Sequence, residues 1–260
     1  MSVSLLRIKN LSTGYGARSH PQVVASGLTA TLETGTFTAL IGKTGAGKST
    51  LLRTLAGLQP MLSGDIFLQD RPLGGYTRGD LSRVMAIVLT HKIEGEGLSV
   101  NDVVEMGRMP YTGISGRLKE EDEHLVEEAL EMTDTIALRY RKMASLSDGE
   151  RQRVMIAKAL AQATPVILLD EPTAFLDYPS KVSLLRLLKR LAEDKGKTIL
   201  VSTHDLELTF QIAERLWLLS KDGLQTGSPR DLAESGTLES FFQSDGLIFD
   251  KKQLRFHLQV

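Results

Sequence analysis

The chain has 260 residues, no cysteine, 31 Lys and Arg against 32 Asp and Glu, and a formal net charge of −1. The balanced charge removes the electrostatic argument for nucleic acid as a partner, and the missing thiols exclude disulfides, thiolate catalysis and Cys-based zinc sites. Hydrophobic residues at 42% and charged residues at 24% predict a packed globular fold.

In chain order, Met1-Ser2-Val3-Ser4-Leu5 lacks the charged segment and apolar stretch of a signal peptide, and no later run approaches the ~20 apolar residues of a membrane helix. Alternating apolar residues predict strands over 6–11 and 23–32, and a β-branched, aromatic run predicts another over 36–41. A helix is expected over 49–56, ended by Gly57. A strand over 64–69 closes at a turn, Asp70-Arg71-Pro72, and residues 84–89 form a further strand. Between about 99 and 141 the pattern changes to helices, with apolar faces over 101–106 and over the acidic segment 119–132. From Ser147 helix and strand alternate: helix 150–161, strand 166–169, helix 180–193, strand 198–202. Apolar strands flanked by helices predict a parallel sheet buried on both faces. The tail holds a turn at Asp222-Gly223, a helix over 229–234 and an apolar end over 254–258.

The chemistry concentrates in a few segments. Gly42-Lys43-Thr44-Gly45-Ala46-Gly47-Lys48-Ser49 matches the phosphate-loop pattern G-x-x-x-x-G-K-[ST], set between a predicted strand and helix and extended by Thr50. Backbone N–H groups of such a loop cradle phosphates, Lys48 brings a cation to the β- and γ-phosphates, and Ser49 offers a hydroxyl to Mg²⁺. Val166-Ile167-Leu168-Leu169 ends in Asp170-Glu171, which places Asp170 at a strand's C-terminal edge to orient Mg²⁺ and leaves Glu171 to polarise a water.

With Leu146-Ser147-Asp148-Gly149-Glu150-Arg151-Gln152-Arg153, the sequence resembles the nucleotide-binding subunit of an ABC transporter. The family signature is Leu-Ser-Gly-Gly-Gln, so Asp148 and Glu150 depart from it while Ser147 and Gly149 are kept. Pro172-Thr173-Ala174-Phe175-Leu176-Asp177 and Thr203-His204-Asp205 resemble two further family segments, and Gly14-Tyr15-Gly16 resembles the loop whose aromatic ring stacks on adenine. The resemblance implies that His204 contacts the γ-phosphate and that Asp177 faces a second subunit. It also implies that Ser147 and Gly149 of one copy complete the ATP site of the other. At the end of strand 84–89, where the family has a glutamine touching Mg²⁺, this chain has Thr90, followed by His91.

The resemblance implies an α/β fold of the P-loop ABC-ATPase type: a mixed parallel core sheet, an N-terminal antiparallel β subdomain and a helical insert. A single domain spans 1–260, with its core at 1–97 and 148–225, a helical subdomain at about 98–147 and a small extension at 226–260. Within the insert, Val104-Glu105-Met106-Gly107-Arg108-Met109-Pro110-Tyr111-Thr112-Gly113 resembles importer ATPases for chelated iron, haem and cobalamin; manganese, zinc or molybdate importers are the nearest alternatives. The implied cofactors are ATP and Mg²⁺. The implied setting is a homodimer on the cytoplasmic face of the membrane, gripping an integral permease near Arg108-Met109-Pro110 and meeting a substrate-binding protein only indirectly.

Overall fold

The computed structural model of the chain describes residues 4–16, 20–89, 97–113, 116–221, 223–242 and 247–258. Two long antiparallel strands, β1 (Ser4–Tyr15) and β2 (Gln22–Glu33), open it. β3 (Phe37–Gly42) runs into the glycine loop and α1 (Lys48–Leu55); β4 (Ser63–Leu68) turns back through β5 (Arg71–Pro72). The turn predicted there is the bend of a small hairpin: Gln69 and Asp70 have φ of 51° and 58°, and Leu68 pairs with Arg71. α2 (Arg78–Val84) precedes β6 (Met85–Val88), and α3 (Val100–Glu105), α4 (Met109–Thr112) and α5 (Glu120–Met132) follow.

The second half alternates as expected: α6 (Asp148–Ala161), β7 (Val166–Asp170), α7 (Tyr178–Lys195), β8 (Thr198–Thr203). α6 and α7 each begin two residues before the predicted start. Ser147 caps α6 reciprocally with Glu150, and Asp177 caps α7 by accepting from the Ser180 amide. α8 (Leu206–Ile212), β9 (Arg215–Ser220), β10 (Gly223–Gly227), α9 (Pro229–Glu234), α10 (Thr237–Phe241), β11 (Leu247–Asp250) and β12 (Arg255–Leu258) complete the chain. Apolar periodicity gives no assignment over 206–220, because the Leu-rich run at 216–219 has no β-branched residue and fits helix or strand equally. The predicted turn at Asp222 falls outside the described residues.

Among the described residues, one sheet has the order β2-β1-β4-β5, all antiparallel, and a six-stranded sheet has the order β10-β9-β3-β8-β7-β6. β9, β3, β8, β7 and β6 are mutually parallel; β10 is antiparallel to β9. Every residue of β3, β7 and β8 is buried, the predicted two-sided burial. Strand alternation divides them between two cores. Phe37, Ile41, Leu169 and Val201 pack with apolar residues of α3, α5, α6 and α7, whereas Leu40, Leu168, Leu200 and Trp217 pack with β1, β2, β4 and α1. Because β3, β7 and β8 are parallel, their C-terminal residues Gly42, Asp170 and Thr203 emerge at one edge, where ligands bind in such sheets.

The tail folds back on α8. Phe210 of α8 meets Phe242, Phe249 and Phe256 with ring centroids 6.3–6.4 Å apart.

Candidate nucleotide site

Gly47 is the N-cap of α1 at φ 98° and, having no side chain, caps none of the first-turn amides, which leaves those N–H groups suited to an anion. A Cβ at Gly47 would lie 2.5 Å from Val24 Cγ1, and one at Gly42 would lie 2.7 Å from the Leu219 carbonyl oxygen. Glycine is a packing requirement at both positions, and at Gly47 a conformational one as well. Thr44, Gly45, Gly47, Lys48 and Ser49 line a cleft of about 350 Å³, with Tyr15, Thr50, Glu171 and His204 also on its walls. Lys43 and Ala46 line a neighbouring cavity with Leu219 and Phe241 instead.

Lys48 is 5% exposed. Its Nζ donates to the Gly42 carbonyl at 3.1 Å, lies 3.0 Å from His204 Nε2 and stands 3.8 Å from Glu171 Oε1. Burial pulls its pKa below the ordinary lysine value, and the negative charges of Glu171 and Asp170 oppose that. His204 Nε2 is also 2.8 Å from Glu171 Oε1. A cation, an imidazole and a carboxylate from three separate segments therefore converge beside the loop. Glu171 reaches this position with φ at 47°, and its N–H donates to Ser202 Oγ at 2.9 Å. Ser49 Oγ donates to Asp170 Oδ1 at 3.0 Å, and Ser202 Oγ donates to the same oxygen at 2.7 Å. Tyr15 Oη and Thr50 Oγ1 are 2.6 Å apart, so Thr50 turns its hydroxyl toward the tyrosine.

Ser147 and Gly149 lie elsewhere. They line a recess with Glu150, Arg153, Leu176 and Ser180 that shares no residue with the cleft. Ser147 Oγ accepts from the Glu150 amide at 3.2 Å and donates to Glu150 Oε2 at 2.9 Å. The Ser147 N–H, which donates to Glu150 Oε2 at 2.8 Å, and then the Ser147 hydroxyl hold the Glu150 carboxylate below its usual pKa. Asp177, at the start of α7, neighbours this recess, and hydrogen bonding by the Ser180 side chain first and its amide second holds the Asp177 carboxyl below its usual pKa. Thr90 and His91, the expected replacements for the family glutamine, lie outside the described residues.

Within the insert motif Arg108 is buried. Its guanidinium bonds Asp122 Oδ1 at 2.9 Å and the Ala161 carbonyl at 2.7 Å, and sits 4.0 Å over the Tyr111 ring. A buried cation needs such a counter-charge, and Asp122, fourteen residues on, supplies it. Of this motif's core only Met109 is strongly exposed, at 68%. Ser202 is a supporting residue that motif reading missed; its one signal is a hydroxyl directly after the apolar run Ile199-Leu200-Val201.

The ABC transporter family profile matches residues 25–174. The iron(3+)-hydroxamate import ATP-binding protein FhuC of Bacillus subtilis is 35% identical over 94% of this chain and 89% of its own length. Among solved structures, an ABC transporter assigned to the metal-chelate type, in an inward-facing conformation, superposes with a TM-score of 0.80 at 29% identity, covering 98% of this chain and 96% of that one. A dimeric bacterial ABC transporter cassette superposes with a TM-score of 0.75 at 26% identity, covering 86% and 98%. Over more than half of its length the chain matches the ABC transporter model, and it belongs to the ABC transporter family as one of its ATP-hydrolysing subunits.

Proposed function

We propose that this ATPase powers the uptake of a metal chelate, such as a ferric siderophore, haem or a cobalamin-like compound, through an integral membrane permease. The convergence of Lys48, Glu171 and His204 on one cleft carries the catalytic part of this reading. The iron-hydroxamate relative and the metal-chelate transporter support the cargo class. Among the described residues no helix is long and apolar enough to cross a membrane, so the chain would sit peripherally on the cytoplasmic face, held by the permease. A substrate-binding protein would act on it only through that permease.

ATP would bind with its phosphates on the loop 42–49 and its base against Tyr15. Lys48 would neutralise the terminal phosphate oxygens, Glu171 would take a proton from the attacking water, and His204 would hold the γ-phosphate and Glu171 in register. Ser49 Oγ and Asp170 Oδ1, hard oxygen donors 3.0 Å apart, suit Mg²⁺, which is commonly held by few protein oxygens plus water and phosphate. Ser49 and Asp170 would hold it. When bound it would offset charge on the β- and γ-phosphates.

Two copies would close on each other, with Ser147 and Gly149 of one facing the nucleotide of the other. Phe175 is 84% exposed and Tyr178 66%, an aromatic pair flanking Asp177 of the kind that marks an interaction face. Gly149 supports the same reading. A Cβ there would meet nothing closer than 3.7 Å within the chain, so packing inside one copy gives no reason for a glycine in a helix. Gly149→Ala should leave the melting temperature unchanged or higher while lowering turnover by about 10², the scale of a misplacement of about 1 Å at the reacting centre. Equal turnover in the variant and the parent would remove Gly149 from the composite site.

The whole reading is tested in vesicles. Reconstituted with the polytopic membrane protein that co-purifies with it, the chain should drive ATP-dependent accumulation of a ferric siderophore, with haem, cobalamin and molybdate as comparison cargoes. Co-purification of nucleic acid and no membrane protein would overturn it.

A further inference from the structure

Asp205 follows His204 and stands at the start of α8, yet its side chain does not cap that helix. An aspartate in this position ordinarily accepts from an amide of the first turn. Here Thr173 Oγ1 donates to Asp205 Oδ2 at 2.6 Å, and Lys181 Nζ donates to Oδ1 at 2.7 Å. Thr173 is buried and lies two residues beyond Glu171; Lys181 lies four beyond Asp177. One carboxylate thus joins the loop after β8 to both ends of the segment running from Glu171 to Asp177.

The backbone of Asp205 is fixed too. Its N–H donates to Thr203 Oγ1 at 3.0 Å, and its carbonyl accepts from Thr209 Oγ1 at 2.5 Å. On the other side, the Glu171 N–H is anchored to Ser202. Glu171 and His204 are therefore held by two braces, Ser202 to the amide of one and Asp205 across the two loops. Between them Glu171 Oε1 and His204 Nε2 come to 2.8 Å. Charge-assisted bonds are about twice as strong as neutral ones, which makes the Asp205 brace the stiffer contact between these loops.

We propose that Asp205 is a positioning residue for hydrolysis: by tying Thr173 and Lys181 to the loop that carries His204, it sets the geometry of the Glu171–His204 pair. This rests on the reading that both groups act at the γ-phosphate. It predicts a defect in turnover, not in nucleotide binding, because neither Asp205 nor Thr173 lines the cleft.

The test compares Asp205→Ala, Asp205→Asn and Thr173→Val, each alone and combined with His204→Ala, reading kcat, KM, ATP affinity and melting temperature. Asp205→Ala should lower kcat about 10–100-fold, the effect of a shift of about 1 Å, with ATP affinity within about threefold. Asparagine keeps an acceptor for Thr173 and loses the charge facing Lys181, so its kcat should fall between. In the His204→Ala background, Asp205→Ala should add less than about threefold, because groups acting through one another are not additive. Should Asp205→Ala fail to fold, Thr173→Val must reproduce both the kcat loss and its dependence on His204. Unchanged kcat, or an equal fold-loss in both backgrounds, would overturn the assignment. If His204→Ala itself keeps full turnover, the proposed mechanism falls instead; if it loses turnover while the Asp205 and Thr173 variants do not, only the positioning role falls.

Discussion

Glu171→Gln should lower ATP turnover by about 10²–10⁴ while leaving nucleotide affinity within a few-fold of the parent, the range for loss of a general base. The amide matches the carboxylate in shape and keeps an oxygen for His204 Nε2, 2.8 Å away. It cannot accept a proton from water near neutral pH. Because the backbone amide of residue 171 is bonded to Ser202 whatever the side chain, the loop should stay in place and the defect should be confined to chemistry. Steady-state hydrolysis together with nucleotide binding on the same preparation checks this. Turnover close to that of the parent would take Glu171 out of the reaction, whereas a matching loss of affinity would make it a binding residue.

Lys48→Ala should produce the opposite division. The lysine is almost wholly buried, and its Nζ is the cation set between the Gly42 carbonyl, His204 and Glu171. A hydrogen bond to a charged group contributes about 1.5–3 kcal/mol, so its loss should weaken ATP binding about 10–100-fold. The carboxylates of Glu171 and Asp170, which draw on the lysine charge in the parent, would then face the phosphates uncompensated. Position 48 opens α1, where alanine is a good helix former, so folding should be retained. Titration calorimetry with ATP decides it: unchanged affinity would show that the loop amides alone hold the phosphates. Read side by side, the two variants separate phosphate capture from water activation.

The parts of this site that depend on local chemistry are legible in the sequence. Gly42 to Ser49 is a loop that only glycine-rich backbone can form, and the run from Val166 into Asp170-Glu171 states both a buried strand and where its carboxylates emerge. The helices after Ser147 and Asp177 are legible in their apolar pattern, though their caps start each one two residues earlier than that pattern shows. What stays hidden is the pairing of groups far apart in the chain. Ser202 becomes part of the site only because β7 and β8 are neighbours, and Asp205 finds Thr173 across 32 residues. Arg108 belongs with them: its partners are Asp122, 14 residues on, and the Ala161 carbonyl, 53 residues on, so its burial is set by contacts that local sequence does not state. The strand at 215–220 escapes periodicity because its leucines favour helix while its tryptophan favours strand, and the opposed preferences decide nothing.

The left-handed backbone of Glu171 has a consequence for how this protein can be altered. An L-residue at φ 47° carries tension of about 1–3 kcal/mol, which persists because its surroundings hold it there, and glycine would not carry it. Durability and reaction therefore pull apart at a single position. Variants sorted only for resistance to heat would collect chains freed of that tension and, with the carboxylate gone, of their capacity to spend ATP. Retaining both asks for selection on hydrolysis first and endurance second.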